Sequence, residues 1–331
     1  MDLFQSNLRN KIGGKMKKYF VNELSGQMHN TIKSYFAITQ KQLRKTKNGK
    51  PYIAVECIDK TGHVRGNIWD NAKTCNNKFT KGDIVNLTAE VELYSGNIQL
   101  NIKKIRKAKE EEYEMKDFLP TVEADVNELT KQFLKFIETI ENQYLKELLD
   151  NIFGNTEFLQ RFVKAPAAKT WHHSYLGGLL KHSLTVTRIS DFIANLYPEV
   201  NRDLLVCCAM LHDIGKMEEY TMKPFIDFTN KGSLVGHIVL GNKLVVDHCE
   251  NINNFPENLK IKIQHLLLSH HGEREKGAVM LPKIREAILL HFADNMDAQV
   301  VGVDALIKKA QEEKSVWTDW DNLTGRKYFT K

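Results

Sequence analysis

The sequence predicts two domains of different class, a small five-stranded β-barrel followed by an all-α domain. Three observations carry this expectation. Residues from Thr31 to about Ile105 fall into short apolar runs punctuated by turn dipeptides. From residue 122 onward apolar residues recur at three- and four-residue steps. Charge also changes sign: residues 1–109 hold 21 Lys+Arg against 8 Asp+Glu, a balance of +13, and the remaining 222 residues hold 26 against 33, a balance of −7. With 331 residues and 42% hydrophobic content, the chain can bury two cores and is too apolar for disorder. No apolar run approaches the length of a membrane span, so no membrane partner is expected. The opening MDLFQSNLRNKIGGKMKKYF lacks the apolar stretch of a secretory leader, and the five cysteines include no C-x-x-C pair. A cytoplasmic protein with reduced thiols is expected.

Residues 1–28 show little periodicity and read as an N-terminal arm. Tyr35 to Ile38 is the first apolar run, and Asn48-Gly49 supplies a hairpin turn before Tyr52-Ile53-Ala54-Val55. Thr61-Gly62 turns the chain into Val64–Trp69, and a polar stretch follows to Lys78. Asp83 to Val91 and, after Ser95-Gly96, Ile98 to Ile102 complete the set. Five short strands with a small insertion between the third and fourth match a closed barrel of the OB type over residues 29–109. KAKEEEYE (107–114) marks a charged connector. Leu129, Phe133, Phe136, Ile137, Ile140, Tyr144 and Leu148 then keep helical spacing, so 110–165 reads as connector and helical linker. Beyond Trp171 there is no strand signal. Helices are expected near 176–197, 202–214, 234–252, 257–270 and 282–313, forming a domain over 166–315. Residues 316–331 remain as a tail, whose Trp317 and Trp320 suit packing on their own domain or on a second copy in a homo-oligomer.

Ten of the twelve histidines lie between His172 and His291. His182, His212-Asp213, His237, His270-His271 and Asp294 sit on or at the ends of otherwise apolar helices. Asp213 ends the run Leu204–Leu211, where an unpaired carboxylate is costly unless it is bound to a cation. A lone histidine on an apolar face, such as His248, His265 or His291, is usually a hydrogen-bonded core residue. The full set is different, because seven candidate ligands exceed the four that a structural zinc site needs. Two ions sharing Asp213 would use all seven. Imidazole with carboxylate and no thiolate suits Mn²⁺ foremost, then Fe²⁺, Co²⁺ or Ni²⁺, with Mg²⁺ less suited.

The order H…HD…H…HH…D, with HDIGK at 212–216, resembles the HD superfamily of metal-dependent phosphohydrolases. WHHSYLGGLLKHSL (171–184), GHIVLGNKL (236–244), LSHHGE (268–273) and HFADNMDA (291–298), behind an OB-like barrel, are similar to the YhaM family of 3′-to-5′ exoribonucleases. The resemblance covers roughly residues 30–315 and is strongest in the helical domain. It implies that His182, His212, Asp213 and Asp294 hold one divalent ion. Asp213, His237, His270 and His271 hold the second, with Asp213 bridging. Two such ions activate a water and neutralise charge on the attacked phosphate and leaving oxygen. Lys216 is implied as a positive charge for the phosphate. His172 and His173 are candidates to contact substrate or protonate the leaving 3′-oxygen. Asp297, one turn from Asp294, competes with it for the ligand role.

OB barrels hold single strands by combining basic grooves with aromatic platforms. Lys41, Arg44, Lys45, Lys47, Arg65 and Lys103 are the candidate phosphate contacts, and Tyr52, Trp69 and Tyr94 the candidate stacking surfaces. The expected activity is metal-dependent 3′-to-5′ hydrolysis of single-stranded RNA, with single-stranded DNA a second substrate, releasing nucleoside monophosphates. Two alternatives stand beside it. One is an HD phosphohydrolase of a small nucleotide or cyclic dinucleotide, although EREKGAVMLP follows the paired histidines where that branch carries G-Y-P. The other is a non-catalytic nucleic-acid binder with a structural metal.

Overall fold

The computed structural model describes residues 17–331 apart from 123, 170, 172 and 223. Residues 1–16 of the expected arm, and His172, therefore lie outside the described residues. The chain divides into two compact units at Pro120.

The first unit is the expected OB-like barrel. Its strands are β1 (Thr31–Lys45), β2 (Pro51–Asp59), β3 (Gly62–Ile68), β4 (Ile84–Tyr94) and β5 (Asn97–Lys107), closed in the order β1-β2-β3-β5-β4. A single-turn helix, α1 (Ala72–Cys75), fills the insertion after β3. Alternation decides which side chains fill the interior: Ile53, Val55 and Cys57 of β2 are buried, while Tyr52, Ala54 and Glu56 face outward. Closure depends on the parallel seam between β3 and β5, where Arg65, Gly66 and Asn67 lie beside Gln99, Leu100 and Asn101. A Cβ on Gly66 would stand 2.8 Å from Ile102 Cδ1 and 3.3 Å from the Leu100 carbonyl, so a side chain there would pry the seam open.

Residues 17–28 are not an arm but part of the barrel. Val21–Gln27 forms a short 3₁₀ helix whose Leu24 is fully buried in the barrel core. Lys17 enters beside it. Its ammonium pairs with Asp59 at 3.0 Å, donates to the Tyr35 carbonyl and lies 3.6 Å from the centroid of Phe36. Asp59 also accepts from the amides of Val21 (2.9 Å) and Thr61 (2.8 Å).

The second unit contains α2 (Val126–Glu138), α3 (Gln143–Phe153), α4 (Thr156–Phe162), α5 (Gly178–Ala194), α6 (Arg202–Leu211), α7 (Lys216–Glu219), α8 (Asn230–Val235), α9 (His237–Glu250), α10 (Glu257–Ser269) and α11 (Arg285–Glu312). Asp125, Asn142, Asn155 and Asn201 cap α2, α3, α4 and α6 by accepting amide hydrogen bonds, which explains where those helices begin. Helix α6 is apolar all round and buried from Leu204 to Leu211, so it forms the centre of the unit. The helices read as a linker join the same core: Phe133, Leu148 and Phe162 cluster with Leu184, Val206 and Leu290. The expectation of no strands beyond Trp171 fails at one place. Tyr220–Met222 (β6) and Ile226–Phe228 (β7) pair as a hairpin, and three-residue strands are too short to leave a periodic trace. Residues 316–331 fold back as a small loop, with Trp317 paired to Phe329 and the Thr330 carbonyl accepting from Gln311 on α11.

Burial pushes the Lys17 ammonium down from 10.5 to about 8, against the attraction of Asp59. The unfolded chain holds this proton up to its ordinary value and the folded chain releases it earlier. Between those pH values the unfolded state therefore binds more protons, and stability rises with pH. Relative to a Lys17→Met variant, the wild type is expected to gain about 3 kcal/mol as pH rises through this window, read by urea unfolding at each pH. A parallel pH dependence in both proteins would contradict it.

Candidate metal centre and barrel groove

Five helices deliver side chains to one point inside the second unit. His182 lies in the second turn of α5, His212 caps the C-terminus of α6, His237 begins α9, His270 caps α10, and Asp294 lies within α11. Asp213 occupies the tight turn between α6 and α7, and its carboxylate is split between two groups. Its Oδ2 faces His182 Nε2 (3.3 Å) and His212 Nε2 (3.4 Å), and Asp294 Oδ1 approaches the same nitrogens at 3.1 and 3.8 Å. Its Oδ1 faces His237 Nε2 (3.5 Å) and His270 Nε2 (3.7 Å). His271 completes the second group, its ring 4.5 Å from that of His270 and 5.2 Å from that of His237. All seven sequence-predicted ligands thus converge, in the two sets that the resemblance implied.

The orientation of the imidazoles is the most informative feature. Every one of the five turns its Nδ1 away from the centre and onto an acceptor. His182 Nδ1 meets Asp297 Oδ2 (2.7 Å), and His237 Nδ1 meets Glu219 Oε1 (3.1 Å). His212, His270 and His271 use the carbonyls of Ala209 (2.9 Å), Leu267 (2.8 Å) and Lys276 (2.8 Å). Carbonyls and carboxylates only accept, so each Nδ1 carries the hydrogen and each Nε2 turns inward. Both Asp213 oxygens, His237 Nε2 and His270 Nε2 are buried without a properly directed hydrogen bond. Inward lone pairs about 3 Å apart match donors sharing one ion with bonds of about 2.1 Å, and second-shell acceptors on Nδ1 are what ligand histidines carry.

The charge balance points the same way. Asp213 and Asp297 are buried and Asp294 is half-buried beside them, and among the described residues Lys216, 2.6 Å from Asp213 Oδ2, is the one lysine ion-paired to them. Burial by itself raises the Asp213 pKa, but Lys216 and His212 reverse this and hold the carboxylate well below its usual range. Burial likewise disfavours a charged His182, yet the facing carboxylates of Asp213, Asp294 and Asp297 lift its pKa well above the usual value. Burial, aided by His270 and His237, pushes His271 down to about 3, so it stays a neutral donor. A cluster that draws a proton onto a buried histidine is a cluster built for positive charge.

Two expectations about this centre are corrected here. His173 is no substrate contact: it is buried, with Nε2 on Asp297 Oδ2 (2.8 Å) and Nδ1 on the Tyr175 hydroxyl (2.6 Å), leaving no ring nitrogen to meet a phosphate. Asp297 does not compete with Asp294, because it faces the outer nitrogen of His182 rather than the centre. Glu219 was not foreseen, since a glutamate in a one-turn helix carries no pattern. His291 is the hydrogen-bonded residue expected of a lone histidine, with Nδ1 on the His270 carbonyl at 3.0 Å.

In the first unit, a groove of about 650 Å³ runs across the outer faces of the strands. Arg44, Tyr52, Arg65, Trp69 and Tyr94 line it, and Tyr52 stacks on Trp69 with ring centroids 4.7 Å apart. Lys41 and Lys103 are corrected out of it. The Lys41 ammonium is tied to the carbonyls of Asn76 (2.5 Å) and Phe79 (2.6 Å), and Lys103 lies 3.9 Å from Glu90. Lys45 and Lys47 are exposed at the β1–β2 hairpin and are not among the residues that line the groove.

Close packing at Gly215 holds the HDIGK turn against α9. A Cβ there would stand 2.0 Å from the His237 carbonyl and 2.5 Å from the Gly241 amide. Gly215→Ala is expected to cost about 1–3 kcal/mol in urea unfolding, by forcing α9 outward. Gly26→Ala, whose Cβ meets nothing within 4 Å, is expected to change stability by about 0.5 kcal/mol or less. Equal costs at the two sites would refute the packing argument.

Comparison with known proteins agrees with this architecture. Residues 179–299 match the HD domain family, and residues 37–108 match a family described as an OB-fold nucleic acid binding domain. The chain is 31% identical over 265 residues to the 3′-5′ exoribonuclease YhaM of Geobacillus sp. (strain WCH70), covering 80% of this chain and 81% of that protein. It is 30% identical over 281 residues to the YhaM of Bacillus velezensis, covering 85% and 88%. It is 31% identical over 265 residues to that of Bacillus subtilis (strain 168), covering 80% and 83%. With both domain types in order and about 30% identity across four-fifths of each chain, this protein belongs to the YhaM family.

Proposed function

We propose that the protein is a metal-dependent 3′-to-5′ exoribonuclease that shortens single-stranded RNA to nucleoside monophosphates, with single-stranded DNA as a second substrate. One observation carries this reading: five imidazoles with outward Nδ1–H groups gather at one point, and four of them set Nε2 within 3.7 Å of an Asp213 oxygen. The names of the relatives supply the polarity and the RNA substrate.

In this reading His182, His212, Asp213 and Asp294 hold one divalent ion, and Asp213, His237, His270 and His271 hold another, with Mn²⁺ the best match to the donor set. The ions would activate a water and neutralise charge on the attacked phosphate and leaving 3′-oxygen. The protein's own residues do the positioning. Lys216 keeps Asp213 ionised and brings a positive charge beside the phosphate site. Asp297 and Glu219 fix the rings of His182 and His237, and His173, itself held by the Tyr175 hydroxyl, meets Asp297 directly. The five free cysteines and the RNA substrate support a cytoplasmic setting. No helix among the described residues is long and apolar enough to cross a membrane.

Incubation of a 5′-labelled single-stranded RNA of about 20 nucleotides with Mn²⁺ is expected to give a ladder that shortens from the 3′ end. Asp213→Ala is expected to lower the rate by about a thousandfold or more, and EDTA to abolish cleavage. Intact RNA in every metal tested would sink the reading. Asp297→Asn and Glu219→Gln are each expected to weaken Mn²⁺ binding by about 10–100-fold in calorimetric titration. Wild-type affinity in both variants would remove them from the site.

A further inference from the structure

The barrel groove differs from the basic channel that its charge-rich sequence suggests. Its two cations, Arg44 and Arg65, are matched by two carboxylates, Glu56 and Glu92. Arg44 already donates to Gln42 Oε1. A groove without net charge gains little from counterion release, so phosphate attraction is a weak reason for a strand to lie there.

What the groove offers instead is amides. Gln40, Asn67 and Gln99 line it, and among the described residues none of the three side chains has a hydrogen-bond partner in the protein. The parallel seam sets two of them in a fixed lattice, Gln99 beside Arg65 and Asn67 beside Asn101. Glu92 accepts from Asn101 through Oε1 (2.6 Å) and Glu56 accepts from Thr39 through Oε2 (2.7 Å), which leaves each carboxylate a second oxygen. The stacked Tyr52–Trp69 pair provides a flat aromatic surface, with Trp69 38% exposed.

These groups suit a nucleobase better than a backbone. A planar amide pairs with a base edge that sets an amine beside a ring nitrogen, as adenine does. The free carboxylate oxygens accept from an exocyclic amine and repel phosphate. Uracil has no exocyclic amine, and its single ring covers less of an aromatic platform. Resting on the reading of the barrel as a single-strand platform, we propose that this groove reads base edges and selects adenine over uracil.

The test is fluorescence anisotropy of the full chain with labelled oligoadenylate and oligouridylate of about 12 nucleotides, in EDTA so that no strand is cut, across a KCl series. Oligoadenylate is expected to bind about tenfold more tightly. In the double variant Asn67→Ala, Gln99→Ala the ratio is expected to fall to about twofold, with the slope of log K against log salt unchanged. Arg65→Met is expected to make that slope shallower by about 0.7 and to leave the ratio in place. Equal affinity for the two oligonucleotides, or a preference that survives the double variant, overturns this inference and leaves the exoribonuclease reading standing. Failure of the full chain to bind any oligonucleotide overturns the platform reading on which it rests.

Discussion

The helical unit is organised around one buried carboxylate. Asp213 lies in a turn packed against α9, and its two oxygens face two different sets of histidines. An ionised carboxylate in such a place costs several kcal/mol unless positive charge meets it. Lys216 supplies one positive charge, and among the described residues the other groups that meet Asp213 are imidazoles. That demand accounts for the arrangement around it: α5, α6, α9 and α10 each bring an imidazole to Asp213, and α11 brings Asp294 to His182 and His212. The outer hydrogen bonds from Nδ1 then hold each ring in place. Two of those acceptors are carboxylates, Asp297 and Glu219, one for each set, and three are backbone carbonyls. In the proposed two-metal centre, ring orientation is therefore fixed by hydrogen bonds within the protein.

The barrel follows a different logic. Its excess of lysine is real, yet it lies outside the groove, and three of the lysines are tied locally: Lys17 to Asp59 inside the barrel, Lys41 to two carbonyls, Lys107 to Asp83 at 2.6 Å. The groove is left close to neutral and rich in amides. Net charge counted along a chain does not say which surface carries it. A basic domain can in this way present a groove whose recognition chemistry is hydrogen bonding and stacking.

Much of this protein was legible in its residues. The strand alternation, the Asn-Gly and Ser-Gly turns and the insertion after the third strand specify the barrel. The apolar spacing specifies most of the helices, and the KHSL, HDIGK, GHIVLGNKL, HHG and HFADNMDA motifs together pick out the seven residues that converge. These are local properties, since a period of two or of 3.6 and a carboxylate inside an apolar run are visible without coordinates. Tertiary structure alone decided which oxygen of Asp213 faces which histidines, and that Asp297 and His173 stand behind the centre rather than in it. It alone supplied Glu219, the burial of Lys17 and the withdrawal of Lys41 from the groove. The physical reason is common to all of them. Each depends on where a side chain's partner lies tens of residues away, and a sequence records which groups are present but not which pairs have met.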